Sequence, residues 1–394
     1  MKKITTIRQW LLALTFVFGS NLVSSQILSI ESKDSINGHP KNSTFVGGYV
    51  KLVSAYDYLG STNGAAFNLI SIPTVGDVKN AALTSNGYQS RMKIRNIYYG
   101  DNGDRVEAYV ESDFHGAGSG GLRLRHAWVK YKNWKIGHSD SNFGNGDVWL
   151  NIVDFDGPPV GTWVRQPQVT YTLPINENNQ FNFALEDNVV DVRKEVQVGA
   201  SKAYLPDFVA NYRRSFKGGT LQLAGVSRII TNSSDSSREK INGYGAHLSG
   251  TFNLLEKDLF MYSGIAGKGI ERYLVGLEGY GLDAAPDAND KLQALPIYGG
   301  YLGYQHYWNS NFNSSFMYGY QRLKSDKDVD ITLVGDQKFG KVDFIGQYYS
   351  ANLYFSPVEK VHLGFEFVYG DLKDNILDQK GRNHRMYFTM EYWF

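Results

Sequence analysis

The stretch HRMYFTMEYWF, residues 384–394, decides the fold. Its side chains fall into two sets at every second position. One set is His384, Met386, Phe388, Met390, Tyr392 and Phe394, and the other is Arg385, Tyr387, Thr389, Glu391 and Trp393. A period of two places successive side chains on opposite faces of an extended strand. The stretch therefore predicts a β-strand with one apolar, largely aromatic face and one more polar face.

The same alternation recurs through most of the chain, for example over residues 311–322 and 361–369. Apolar side chains on every second position make the outer face of a membrane barrel, while the average hydropathy stays polar. Together these segments predict an all-β fold, a transmembrane antiparallel β-barrel of about sixteen strands. The predicted strands lie near residues 44–58, 88–98, 105–114, 122–131, 133–138, 164–172, 180–188, 207–216, 219–229, 241–253, 259–268, 297–308, 311–322, 348–356, 360–370 and 383–394.

The lengths of the connections favour a membrane barrel over a soluble sandwich. Gaps after predicted strands 1, 5, 7, 11 and 13 are roughly 18 to 30 residues, and those after even-numbered strands are about seven or fewer; long outer loops and short periplasmic turns produce this alternation. A sandwich has no reason to alternate in this way. The pattern predicts a barrel in a bacterial outer membrane, with both mature termini on the periplasmic side.

The beginning of the chain indicates export. Lys2, Lys3 and Arg8 precede a short apolar core at residues 10–18, and Val23 and Ser25 are small enough to flank a cleavage site before Gln26. This arrangement is typical of a secretory signal peptide, and the apolar core is shorter than the roughly 20 residues of a spanning helix. We expect a signal peptide at residues 1–25, a short periplasmic lead at 26–43 and the outer-membrane barrel at 44–394.

Composition excludes several classes of protein. The chain has 27 Tyr, 22 Phe and 7 Trp, and it has no cysteine, which excludes a disulfide framework, a thiolate zinc site and a cysteine nucleophile. The formal net charge is +1, and removal of the signal peptide would leave the chain slightly acidic. Nothing in this balance indicates a nucleic-acid partner. We expect no cofactor, and we expect outer-membrane lipids as the surroundings.

Charged residues share faces on three neighbouring predicted strands. Charges facing lipid would be costly, so these faces should line the lumen. The residues are Arg91, Lys93 and Arg95, then Glu107, Glu111 and Asp113, then Arg123 and Arg125. Turns near residues 102 and 118 would pair Lys93 with Glu111, Arg91 and Arg123 with Asp113, and Arg125 with Glu111. This set is either a self-neutralising ladder that stiffens the wall or a cationic strip that gives a mild preference for anions.

The third outer loop, residues 139–163, is the other candidate site. Such a loop folds inward to narrow many barrels, and the alternative is an ordinary surface loop. Inward folding would bring Asp140, Asp147, Asp154 and Asp156 to the passage, with Arg165 at the end of the loop. Strand phase predicts that Arg213 and Arg385 also point into the lumen and add to its positive charge.

Several strings resemble the DcaP-like family of trimeric outer-membrane porins. They are FVGGYVKL at 45–52, RLRHAW at 123–128, DFDGPP at 154–159 and VRQPQVTY at 164–171. The resemblance covers about residues 44–172, and the second half matches in barrel pattern only. It implies a homotrimer and the uptake of small anions, dicarboxylates among them.

Other motifs do not fit their usual context. The glycine pattern at 116–121 joins two predicted strands, so we expect a hairpin loop rather than a dinucleotide site. Asp283, Asp287 and Asp290 are expected in a solvated outer loop rather than at a Ca²⁺ ion. The eight histidines show no metal-ligand spacing and no matched nucleophile, so we predict no catalytic residue and no metal site.

The sequence thus predicts a passive diffusion channel for small hydrophilic solutes and not an enzyme. Two alternatives remain open at this point. One is an outer-membrane barrel enzyme of the lipase or protease type, which would need a positioned nucleophile and base. The other is a structural or adhesin barrel, which would have a plugged lumen and no conductance.

Overall fold

The structure is a computed structural model that describes residues 28–59, 66–74, 81–116, 120–192, 205–233, 238–255, 257–330 and 339–394. Within these residues, sixteen antiparallel wall strands pair in chain order, and the last pairs with the first to close a barrel. The predicted fold and its even strand number are confirmed. Among the described residues, no helix reaches the length and apolarity that a membrane crossing needs.

The wall strands are numbered β1 to β16. They are β1 Asn42–Asp57, β2 in two parts (Ala82–Asn86 and Arg91–Tyr99), β3 Arg105–Gly116, β4 Gly121–Tyr131, β5 Trp134–Asp140, β6 Arg165–Asn176, β7 Asn179–Glu186, β8 Asp207–Phe216, β9 Gly219–Ser233, β10 Arg238–Leu254, β11 Asp258–Lys268, β12 Pro296–Tyr307, β13 Phe312–Lys324, β14 Asp343–Val358, β15 Val361–Asp374 and β16 Gln379–Trp393.

Short elements lie outside the wall. They are the strands Leu28–Glu31, Ser35–Ile36, His39–Pro40, Ala284–Pro286, Leu292–Ala294, Val329–Asp330 and Phe339–Gly340, and the 3-10 turns Leu69–Ser71, Gly146–Val148 and Glu271–Tyr273. Leu28–Glu31 pairs with Ser43–Val46 of β1, below the point where the β16 pairing ends at Tyr49. Part of the predicted lead therefore adds a strand to the sheet. The predicted signal peptide lies outside the described residues.

The strand boundaries agree closely with the sequence prediction because alternation and turn residues fix both. β6, β9, β15 and β16 each extend four residues beyond the predicted bounds at one end, and two strands differ more. β2 is interrupted at residues 87–90, and β14 begins at Asp343, five residues before the predicted 348. Long connections follow β1, β5, β7, β11 and β13, as predicted, and a short turn follows every even-numbered strand that precedes another, which assigns the even-turn end to the periplasm.

The outward face carries the predicted apolar band. On β16, Phe388, Met390 and Tyr392 are exposed, as a lipid-facing surface requires. The interior is not polar throughout. Inward residues such as Met261, Tyr301 and Val368 are buried in apolar clusters. These clusters exist because chain segments fold into the lumen and cover them.

Among the described residues, the outer segments 66–74, 141–164 and 269–295 enter the lumen. Leu69 of the first and Val153 of the second join one apolar cluster with inward residues of β11 to β16. Leu274 of the third joins a second cluster with inward residues of β7 to β13. We call β7 to β16 the packed wall, and we call β2 to β6, which carries the predicted charges, the charged wall. The site lies between the loops and the charged wall.

Candidate functional site

The charged residues of β2 to β4 are neighbours across the sheet. Lys93 is opposite Glu111, and Asp113 is opposite both Arg91 and Arg123. These three registers are the ones derived from the sequence. The fourth pair differs, because a shift in register places His126 rather than Arg125 opposite Glu111. Arg125 still reaches that carboxylate through its side chain.

The centre of this ladder is saturated by internal ion pairs. Arg125 is 2% exposed, and its Nε and Nη1 donate to Glu111 and Asp113 at 2.7 and 3.0 Å. Arg123 binds Asp113 through two nitrogens, at 2.9 and 2.6 Å. Every donor engaged in this way is unavailable to a solute. Arg125 therefore stiffens the wall, as the ladder interpretation predicts.

The lower part of the ladder is also neutralised. Glu107 accepts hydrogen bonds from Arg95 and Arg105, each at 2.6 Å. Lys93 lies over the Trp393 ring, with its Nζ 5.6 Å from the ring centroid. Arg95 and Glu107 thus form a local pair near the periplasmic end, while Lys93 keeps its ammonium beside an aromatic surface.

The third outer loop, residues 141–164, is held across the lumen by the packed wall. Glu366 of β15 accepts hydrogen bonds from the backbone N–H groups of Val153 and Asp154. Asp154 in turn accepts from the hydroxyls of Tyr348 and Tyr387, at 2.9 and 3.1 Å. The loop therefore does fold inward, and we call it the inward loop.

A polar cavity of about 250 Å³ lies between the inward loop and the charged wall. Its walls include Trp149 and Trp163, whose rings pack edge to face with their centroids 4.5 Å apart. Its charged lining residues are Lys51, Arg91, Arg123, Arg125 and Arg165, with Asp154, Asp156 and Glu278. We call it the arginine cavity.

Two arginines of this cavity differ from the others in having a guanidinium nitrogen with no hydrogen-bond partner among the described residues. Arg165 approaches only Asp140, with Nη1 3.8 Å from the carboxylate, and this nitrogen is buried with no hydrogen-bond partner among the described residues. Arg91 lies 3.5 Å from Glu111 and over the Tyr49 ring, and its Nε also lacks such a partner. Guanidinium groups with unpaired nitrogens beside a cavity can bind a carboxylate or a phosphate, since a guanidinium binds such a group through two nitrogens.

The three acidic lining residues of the cavity carry less negative charge than three ionised carboxylates would, because their pKa values are raised. Burial, with Asp154 and Glu278 nearby, raises the pKa of Asp156 to about 8. Burial raises the pKa of Glu278 as well, and raises that of Asp154 to about 6. At neutral pH Asp156 is therefore largely protonated, and the basic side chains dominate the lining.

The remaining predicted residues anchor loops. Asp147 of the inward loop forms an ion pair with Arg213 of β8. Arg385 points inward but is 1% exposed, and its guanidinium binds Asp57 at 2.5 Å and the Ala66 carbonyl at 2.9 Å. Neither lines the arginine cavity. Their charges hold chain segments in the lumen rather than facing a solute there.

Sequence reasoning missed a buried charged cluster that fixes the third lumen segment. Arg228 of β9 donates to Asp283 at 2.7 Å, and the Arg228 Nε lies 3.3 Å from Asp207. The Tyr273 hydroxyl donates to Asp207 at 2.7 Å. The expectation that Asp283 lies in a solvated loop is wrong, because its ion pair with Arg228 is fully buried. The available signal was the position of Arg228 between Val226 and Ile230 on the inward face of β9.

Sequence reasoning also missed four lining residues of the arginine cavity: Lys51, Trp149, Trp163 and Glu278. Two of them lie in the inward loop, and Lys51 and Glu278 come from parts of the chain that are distant from that loop in sequence. Within the described ranges, no group of three His, Asp or Glu side chains is placed to hold a metal ion. The glycine pattern connects β3 and β4, and residues 117–119 lie outside the described residues.

A closed sixteen-stranded barrel with apolar outer faces, an inward loop and a charged cavity defines an outer-membrane channel of the porin fold. The model of the DcaP outer membrane protein family matches residues 20–394. The chain belongs to this family, and its location is the bacterial outer membrane. The resemblance drawn from the first half of the sequence is confirmed and extends over the barrel. No match was found among curated protein sequences.

Solved structures show the same fold. The outer membrane channel DcaP of Acinetobacter baumannii aligns with a TM-score of 0.75 and 20% identity, over 93% of this chain and 100% of that one. An anion-selective porin from Comamonas acidovorans aligns with a TM-score of 0.59 and 11% identity, over 90% and 100%. A trimer form of OmpT from Vibrio cholerae aligns with a TM-score of 0.53 and 9% identity, over 90% and 99%.

Proposed function

We propose that this barrel lets small hydrophilic solutes diffuse across the outer membrane and that it favours small anions, dicarboxylates among them. The main support for a preference for anions is that Arg91 and Arg165, which line the arginine cavity, each have a guanidinium nitrogen with no hydrogen-bond partner among the described residues. A narrow passage with low-dielectric walls makes fixed charge act more strongly on a passing ion than bulk water would allow. An anion-selective porin among the structures of this fold agrees with the proposal.

The two arginines also suit a dicarboxylate on chemical grounds. A passing anion exchanges its hydration shell for hydrogen bonds, so the receiving donors must be unoccupied. Arg123 and Arg125 already donate to Asp113 and Glu111, whereas Arg91 Nε and Arg165 Nη1 donate to no described residue. Trp149 and Trp163 add apolar surface that fits the short carbon chain between two carboxylates.

The test is the reversal potential of single channels in a planar bilayer under a gradient of dilute KCl. The unmodified channel should favour chloride, and the double variant Arg91→Gln with Arg165→Gln should shift the potential toward cation selectivity. In molar salt the difference should shrink, because the Debye length falls to about 3 Å. Addition of succinate should reduce the chloride current of the unmodified channel more than that of the variant.

Arg214→Gln is the matched control, since Arg214 is exposed on β8 and does not line the cavity. It should leave the potential unchanged. A cation-selective unmodified channel would refute the anion preference. A barrel that inserts but conducts no current would instead favour the structural alternative.

We also propose that the channel assembles as a homotrimer. The support is the family, whose resemblance implied a trimer, together with the trimer form found among structures of the same fold. The aromatic outer face offers apolar surface for contact between subunits, for example at Phe365 and Phe367. Native mass spectrometry in mild detergent should give three times the chain mass, and a monomer alone would contradict the assembly.

A further inference from the structure

A second polar cavity, of about 240 Å³, lies below the start of the inward loop. It is lined by inward residues of β4 to β9 and reaches Asn133, in the turn between β4 and β5. Short turns mark the periplasmic end of the barrel. This cavity is therefore on the exit side of the inward loop for a solute that enters from outside. We call it the lysine cavity.

Two lysines face each other in this cavity without an acidic partner. Lys130 of β4 is directly opposite Lys135 of β5. Neither forms an ion pair or a side-chain hydrogen bond with another described residue. Glu107, opposite Lys130 on the other edge of β4, is held by Arg95 and Arg105 instead. Like charges directly opposite each other destabilise a sheet, so this pair has no evident structural benefit.

Most of the remaining lining is uncharged, and part of it is held in place by hydrogen bonds within the cavity. Asn182 donates to Asn211 at 2.7 Å and accepts from the Thr172 hydroxyl at 2.7 Å. Gln180 lines the same cavity, and its side-chain amide makes no hydrogen bond with a described residue. Two ammonium groups with a nearby free amide form a site for an oxyanion, because all three can donate to its oxygens.

The other charged groups of the cavity do not cancel the lysines. Arg213 is occupied by Asp147 of the inward loop. Asp140 is the acidic lining residue, and it lies 3.8 Å from Arg165 of the arginine cavity. The two cavities therefore meet at the Asp140–Arg165 pair. An anion that moves from the first cavity to the second by this route meets the Asp140 carboxylate, and the lysines beyond it offset that repulsion.

We propose that Lys130 and Lys135 form a second binding station for the oxyanion group of a permeating solute, a carboxylate or a phosphate, on the periplasmic side of the inward loop. This inference rests on the proposed anion channel and gives it two stations in series. Conduction requires sites that attract an ion and still release it, and two weak stations satisfy this better than one strong site.

The experiment uses inorganic phosphate as the probe on single channels of known orientation. Because the chain has no cysteine, Glu177→Cys in the periplasmic turn between β6 and β7 provides a unique handle in every channel compared. A membrane-impermeant thiol reagent added to one side then assigns the orientation. Phosphate is added to one side at a time, and the chloride current is recorded.

In the parent channel, phosphate from the periplasmic side should reduce the chloride current. The double variant Lys130→Gln with Lys135→Gln should lose this response and keep the response to phosphate from the outer side, which reports the arginine cavity. The variant Lys130→Arg with Lys135→Arg retains both charges and should keep both responses. Lys132→Gln, in the exposed turn beside the site, is the matched control and should also keep both.

The outcomes separate the two proposals. If the parent channel favours anions but the double glutamine variant keeps its periplasmic response, or if periplasmic phosphate has no effect on the parent, the second station is refuted and the anion preference stands. If the parent favours cations or does not conduct, the proposed function itself fails. Heat-dependent mobility on gels shows whether each variant is folded, and the arginine variant gives a folded comparison if the glutamine variant is not.

Discussion

The charged wall and the packed wall use the same strand geometry for opposite purposes. On the charged wall, inward side chains such as Arg123 and Lys135 stand beside water-accessible cavities. On the packed wall, inward side chains such as Met261 and Val368 are covered by loops and reach 0% exposure. The barrel interior is therefore divided along its length into a core and a passage.

This difference shows how one chain makes a narrow passage from a wide barrel. A barrel of sixteen strands encloses an open aqueous channel unless something fills it. Apolar inward residues on one side give the loops a surface to bury, and the hydrophobic effect holds them there. Charged inward residues on the other side offer no apolar surface to bury, and cavities remain beside them. The cavities therefore lie along the charged side, and the lysine cavity also borders β7 to β9.

The largest expected effect comes from releasing the inward loop from the packed wall. Glu366→Ala removes the acceptor for the Val153 and Asp154 N–H groups. Leaving a buried donor unpaired costs about 1–3 kcal/mol for each group. We expect the loop to detach, the single-channel conductance to rise and the ion selectivity to fall.

Glu366→Gln is the control for this change, because an amide keeps both the side-chain volume and a carbonyl acceptor. It should conduct like the unmodified channel. Equal conductance and selectivity for the Ala and Gln variants would mean that the division of the interior does not depend on this anchor.

A smaller effect is expected from adding a side chain at Gly319, where the packed wall contacts the inward loop closely. A Cβ atom at Gly319 would lie 2.5 Å from the Pro159 Cδ of the inward loop. Gly319→Val should therefore push the loop off the wall, at a cost of about 1–3 kcal/mol, the usual range for overpacking. The unfolding temperature in detergent should fall, and the conductance should rise less than in Glu366→Ala.

Gly264→Val provides the matched comparison, since a Cβ at Gly264 meets nothing within 4 Å. That variant should unfold at the temperature of the unmodified barrel. Should both valine variants behave alike, the close approach of Pro159 to β13 would have no energetic weight.

The smallest expected effect is a change of ion selectivity with pH, and it tests the charge of the arginine cavity beside the charged wall. Because the pKa of Asp156 is raised to about 8, its carboxyl is neutral below that pH and negative above it. Raising the pH from 7 to 9.5 should therefore add negative charge to the arginine cavity and reduce the preference for anions, as measured by the reversal potential in dilute KCl.

Asp156→Asn should remove most of this pH dependence in the same range, and the variant should keep the selectivity of the neutral form. A potential that drifts with pH equally in both channels would assign the titration to another group.

The sequence alone predicted the barrel and much of its charged ladder, because both depend on local rules. Alternation fixes which face of a strand points inward, and a short turn fixes the register of the two strands that it joins. The Lys93–Glu111 and Arg91–Asp113 registers across β2 and β3 follow from these two facts alone. Arg125 escaped the same reasoning, because a register shift within β4 cannot be read from the pattern.

The tertiary structure decided how the interior is used. The contacts that divide it join distant residues, such as Val153 with Glu366 and Asn68 with Tyr280. The sequence therefore determined a barrel with a charged strip, since period and turn length act between neighbours. Only the tertiary structure decided which arginines keep unpaired guanidinium nitrogens, because the ion pairs of the other arginines and the contacts of the loops form once the barrel closes and its loops fold inward.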